Sequence, residues 1–211
     1  MWHKVSPGAF RIPYIKNWSS TWFADKKTYV SSLSVDNIIR SSLNTSLKGI
    51  PTGDVIISRS QTEVLVTVYT AKAALVLWKE WENLTSLEKE LSKKTSSVIK
   101  ITVKEVKKPD LNAKIVWFMI SNQIEKRMPY KRAIKQAISK AIEKWAKWIK
   151  VKVGWRLNWA EIARKETFKE WNIPTQTIRA DIDYTTSRAE TVYGTIWLKV
   201  RIYKWDIFKR K

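Results

Sequence analysis

A chain reverses direction most easily where its backbone can take positive φ, and this one has only five glycines, against thirteen tryptophans, in 211 residues. Glycine makes up about 7% of an ordinary chain. The Cβ and ring of tryptophan resist the left-handed conformations and close approaches that glycine permits. The tryptophans lie at turns and at the ends of periodic segments, not along the apolar stripe of a helix.

Between those breaks the apolar positions repeat with two periods. Val35, Ile38, Ile39, Leu43 and Leu47 have the spacing of a short amphipathic helix, with Ser34 as its N-cap. The runs from Val55 to Ser58 and from Thr62 to Tyr69 are β-branched and read as two paired strands. A charged helix is expected from Ala73 to Lys93 and a strand from Val98 to Val106, giving the order α-β-β-α-β. Pro109 then stands at a favoured first helical position, with Asp110 where the helix dipole prefers a carboxylate, and that helix is expected to reach Arg127. After Pro129, the residues Ala133, Ile134, Ala137, Ile138, Ala141 and Ile142 form the apolar stripe of another helix. Strands are expected over Ile149 to Leu157, Thr177 to Tyr184 and Thr191 to Tyr203. The fold class is therefore α+β. Residues 1–16 are expected as a basic extended arm outside the core, 17–108 as a first domain, and 109–211 as two helices packed on a mainly antiparallel sheet.

Charge narrows the function. Forty Lys and Arg against nineteen Asp and Glu leave a formal net charge of +21, and such a surface seeks a polyanion. A membrane reading needs a span of roughly 20 apolar residues or a concentrated amphipathic anchor, and neither stands in the sequence. The opening MWHKVSPGAF lacks the apolar core of a signal peptide, so a cytoplasmic protein is expected. With no cysteine there is no disulfide or thiolate metal site. His3 is the only histidine, and Glu161, Glu166, Asp181 and Asp183 are too scattered for paired acid–base work or metal binding. No phosphate-binding Walker loop is present. No catalytic residue, cofactor or metal is expected, and nucleic acid remains as the partner.

The strings KPDLNAKIVWFMISNQIEKR, YKRAIKQAI and RADIDYTTSRAETVYGTI resemble the C-terminal domain of the ribosomal protein S3 family. The first half resembles that family's type II KH domain, and WHKVSPGAFRI and NWSSTWFADK resemble its opening segment, so the likeness covers almost the whole chain. It implies a structural, non-enzymatic protein of the small-subunit head that binds ribosomal RNA and borders the messenger RNA entry channel. Head proteins of the S10 and S14 families are the implied neighbours, with no membrane and no free homo-oligomer. A nuclease or repair enzyme built on a KH domain is the alternative from another class, and it lacks a carboxylate or metal constellation. A basic membrane-surface protein would need its tryptophans on amphipathic helices.

A KH domain holds single-stranded nucleic acid at a glycine-bracketed turn whose amides clamp phosphates. Here LVLWKEWENL occupies that place, with Trp78 and Trp81 where the family has glycine, Lys79 between them, and Glu80 adding a charge unfriendly to phosphate. Trp2, Trp145, Trp148, Trp155, Trp159, Trp171, Trp197 and Trp205 likewise fall where the family usually has glycine, and Trp117 is a further candidate; only Trp18 and Trp22 fall where tryptophan is expected. Glycine at all eleven positions would restore sixteen glycines, the ordinary fraction of about 7%. The expectation is a UGA codon decoded as glycine in the host; true substitution is the alternative.

Several cations are candidates for RNA contact. Lys131 and Lys135 share a helix face with Arg132 nearby, and the resemblance implies that these three meet incoming messenger RNA and assist its unwinding. A solvated basic helix face is the plainer reading. Arg156 and Arg164 sit in GWRLNWAEIARKE, which the resemblance places against ribosomal RNA; a bridge from Glu161 to Arg164 on a helical turn is the alternative. Lys4, Arg11 and Lys16 of the arm are expected to neutralise phosphates.

Overall fold

The computed structural model describes residues 5–60, 63–95, 97–158 and 160–208, without the side chains of 75–84. The chain divides into two compact units, one of Trp18–Lys107 and the other of the segment through Asn17 together with Lys108 onward.

In the first unit, the elements are β1 (Ser20–Thr21), α1 (Tyr29–Ser46), β2 (Thr52–Arg59), β3 (Glu63–Thr70), α2 (Ala73–Thr95) and β4 (Val98–Glu105). The sheet runs β1-β2-β3-β4, with β2 and β3 antiparallel and the outer pairings parallel. Ile39 and Leu43 of α1 and Leu47 at its C-cap close over Ile57, Val64, Val66, Val68 and Ile99, the alternate residues of the strands, with Leu91 from α2. The expected helix is present but begins earlier, behind Thr28, so Ser34 lies inside it and caps nothing. Its first turns were invisible to a count of core positions because Tyr29, Val30 and Leu33 are exposed.

In the second unit, Pro109–Leu111 forms a 3-10 turn and α3 (Ala113–Glu125) starts only after Asn112, whose side chain accepts the N–H groups of Lys114 and Ile115. The helix expected from Pro109 thus breaks at Asn112, since an asparagine N-cap satisfies two orphan donors at that point. After Pro129 comes α4 (Tyr130–Glu143), followed by β5 (Trp148–Trp155), β6 (Arg164–Glu170), β7 (Ala180–Thr191) and β8 (Gly194–Asp206). The strands pair antiparallel in the order β6-β5-β8-β7. Ile134, Ile138 and Ala141 of α4 join Val116, Ile120 and Ile124 of α3 over Ile149, Val151, Val153, Leu198, Val200 and Ile202. Ile142, counted with the stripe, is 39% exposed at the helix end.

The α+β class holds, as do two helices on an antiparallel sheet. The strand β6 is an addition: Arg164 lies in it and not on a helical turn. RKETFKE offers one core residue, Phe168, so as an edge strand it shows little of the alternation by which strands are read.

Candidate nucleic-acid interface

Burying its apolar stripe leaves α4 with a basic outer face. Lys131, Arg132 and Lys135 are exposed and line an open groove of about 700 Å³ with Met128, Gln136 and Ser139, and no carboxylate shares that lining. The first turn of α4 carries no acidic residue, so the positive end of the helix dipole adds to the side-chain charge. This costs helix stability and favours an anion.

The start of α4 is fixed from beneath. The Tyr130 hydroxyl donates to Glu166 Oε1 at 2.9 Å, and its ring meets Phe168 edge-on with centroids 6.4 Å apart. Burial first, and then the Glu166 bond, push the Tyr130 phenol above its ordinary pKa. Arg164 Nε stands 3.4 Å from the same Glu166 oxygen. The alternative partner weighed for Arg164 was Glu161; β6 instead places Glu166 two residues along the strand. Arg156 donates from Nε to the Ala160 carbonyl at 3.2 Å, bracing the loop after β5.

The N-terminal cations separate. Arg11, expected to meet phosphate, is completely buried. Its Nε donates to the Ala180 carbonyl (2.6 Å), Nη1 to Pro7 (2.8 Å), and Nη2 to Thr177 (2.8 Å), Thr175 (3.1 Å) and Pro174 (3.4 Å). A completely buried guanidinium turned onto backbone carbonyls in this way is not presented to a phosphate. Lys16 pairs with Asp183 at 2.8 Å. Lys4, and the side chains of Trp78, Lys79 and Trp81, lie outside the described residues, but the backbone at 78–81, expected as a phosphate-clamping turn, is helical and continuous within α2.

Of the sequence candidates, the structure brings Lys131, Arg132 and Lys135 together on one groove and sets Arg164 beneath the start of their helix. The supporting pair Tyr130 and Glu166 went unforeseen because it depends on β6. Among the described residues there is no group of acidic or histidine side chains that could hold a metal, and no helix is long and apolar enough to cross a membrane.

Comparison with known proteins matches residues 38–111 to the KH domain and residues 120–202 to the family described as "Ribosomal protein S3, C-terminal domain". The small ribosomal subunit protein uS3 of Wigglesworthia glossinidia brevipalpis is 42% identical over 207 residues, covering 98% of this chain and 88% of that protein. Its counterpart from Hydrogenovibrio crunogenus is 43% identical over 204 residues (97% and 90%), and that from Verminephrobacter eiseniae is 38% identical over 210 residues (100% and 71%).

Proposed function

The chain belongs to the ribosomal protein S3 family, and on that premise we propose that it serves in the head of the small ribosomal subunit, binding ribosomal RNA and bordering the entry channel for messenger RNA. Membership makes it a structural protein and not an enzyme. Its place is the ribosome, with proteins of the S10 and S14 families as neighbours and no part for a membrane.

The observation that carries the channel reading is the α4 groove. Three cations on a rigid helix, anchored through Tyr130 and Glu166 and facing solvent without a competing carboxylate, suit a mobile polyanion sliding past. Contacts to phosphate position a strand without reading its sequence, as a channel for every message requires. Any help in opening message structure is passive, drawn from movement of the ribosome.

The test is to replace Lys131, Arg132 and Lys135 together with alanine and to measure translation through a stable hairpin on reconstituted ribosomes. Slower passage through the hairpin, with unchanged speed on unstructured message, is expected. Equal speed on both messages removes the assignment, while failure of the chain to enter small subunits removes the wider reading.

A further inference from the structure

The antiparallel sheet of the second unit has two faces, and α3 and α4 cover one of them. On the other, the register sets out three rows across four strands. One row is Lys169, Lys150, Arg201 and Tyr184; the next is Thr167, Lys152, Lys199 and Thr186; the third is Lys165, Gly154, Trp197 and Arg188. Seven of these twelve residues are lysine or arginine, and none is acidic. Lys165, Thr167, Lys169, Thr186, Arg188 and Lys199 are exposed, so the grid opens to solvent.

Neighbouring strands lie about 4.8 Å apart. Lys169, Lys150 and Arg201 are therefore ranked side by side, as are Lys152 and Lys199, and like charges directly opposite destabilise a sheet. A sequence consistent at every level would alternate sign across these rows, and a local rule broken in this way marks a functional surface. Arg201 supplies a second observation. Its guanidinium carbon stands 5.3 Å from the centroid of the Tyr184 ring, and its Nε is buried with no hydrogen-bond partner. Contact with the ring leaves a planar fork of donors whose geometry suits phosphate.

We infer that this sheet face is a second RNA-binding surface, one that grips the phosphate backbone. It lies on the opposite side of the sheet from α4, so the unit can hold one RNA on each side. The grid has no Asn, Gln, Asp or Glu with which to read base edges; its cations and two threonine hydroxyls serve phosphate and sugar. The ligand class rests on the ribosomal reading above, whereas the face itself rests on register and charge.

The test compares the full chain with a Lys165→Gln, Lys169→Gln, Lys199→Gln variant in binding a short mixed-sequence RNA duplex across a range of salt. Three lost phosphate contacts, at about 0.7–0.9 each, should lower the slope of log affinity against log salt by about 2–3. The melting temperature of the free variant should rise, because like-charge rows are relieved. The single variant Lys199→Gln should lower the slope by just under one on the same basis. An unchanged slope overturns the inference. So does competition by polyglutamate as effective, charge for charge, as competition by RNA, since that assigns the face to an acidic protein. Incorporation into small subunits is measured separately, and a parent that fails to assemble while the variant's RNA slope falls as expected counts against the ribosomal reading alone.

Discussion

Trp145, Trp155 and Trp171 have φ of 75°, 108° and 60°, in the region glycine favours. Their side chains are 81%, 50% and 75% exposed, so little burial offsets the strain. Trp145 ends α4 in the double hydrogen bond of a Schellman motif, with its own N–H on the Ile142 carbonyl and that of Ala146 on Ala141; glycine is the usual residue at that position. Trp22 shows the contrast. It falls where tryptophan is expected, and its indole donates to Asp36 at 2.8 Å, whereas the indole nitrogen of Trp117 is buried without a partner. A non-glycine residue held at positive φ costs about 1–3 kcal/mol. Glycine at 145, 155 or 171 should therefore raise the free energy of unfolding by about 1 kcal/mol at each site, and the chain isolated from its host should have the intact mass of glycine at the eleven positions. A mass matching tryptophan, or destabilisation by all three replacements, goes against this expectation.

Among the elements, α3 is tied to β7 by Asp183. Its Oδ2 accepts the Ala113 N–H at 2.9 Å while Oδ1 receives Lys16 at 2.8 Å, so one carboxylate gathers the N-terminal segment, a helix start and a strand. Burial opposes its ionisation, but Lys16, Lys204 and the Ala113 amide outweigh burial and hold the carboxyl below the ordinary aspartate value. A depressed folded pKa gives stability that is full above the unfolded value and lost as pH falls through the folded one. Asp183→Asn should thus be less stable than the parent at neutral pH, with the gap closing on acidification below the usual aspartate range; denaturant midpoints that stay equally far apart at every pH contradict it. The stripe from Ala133 to Ala141 was legible in the sequence because burial imposes a helical period on it. Strand β6 was not, since a single residue, Phe168, shows its inward face. Arg11 could not be read as internal, because most of the carbonyls that hold it lie 163–169 positions away. The α4 cations were legible from local spacing, while the charged rows of the sheet exist only once strand register is set.

For the molecule as a whole, a net charge of +21 makes folding work against self-repulsion. Sulfate, which binds cations and screens them, should raise the melting temperature of the free chain more than chloride at equal ionic strength; equal shifts would point to screening alone. The segment through Asn17 belongs with the residues from Lys108 onward, and Arg11 completes its hydrogen bonds on the carbonyl of Ala180. Translation runs in one direction, so this first-made segment leaves the exit tunnel long before its seat has been synthesised. The unit of Trp18–Lys107 is finished in the meantime. The segment through Asn17 is thus made before the unit of Trp18–Lys107 yet docks after it, and a chain cut short before β7 leaves Arg11 without its seat.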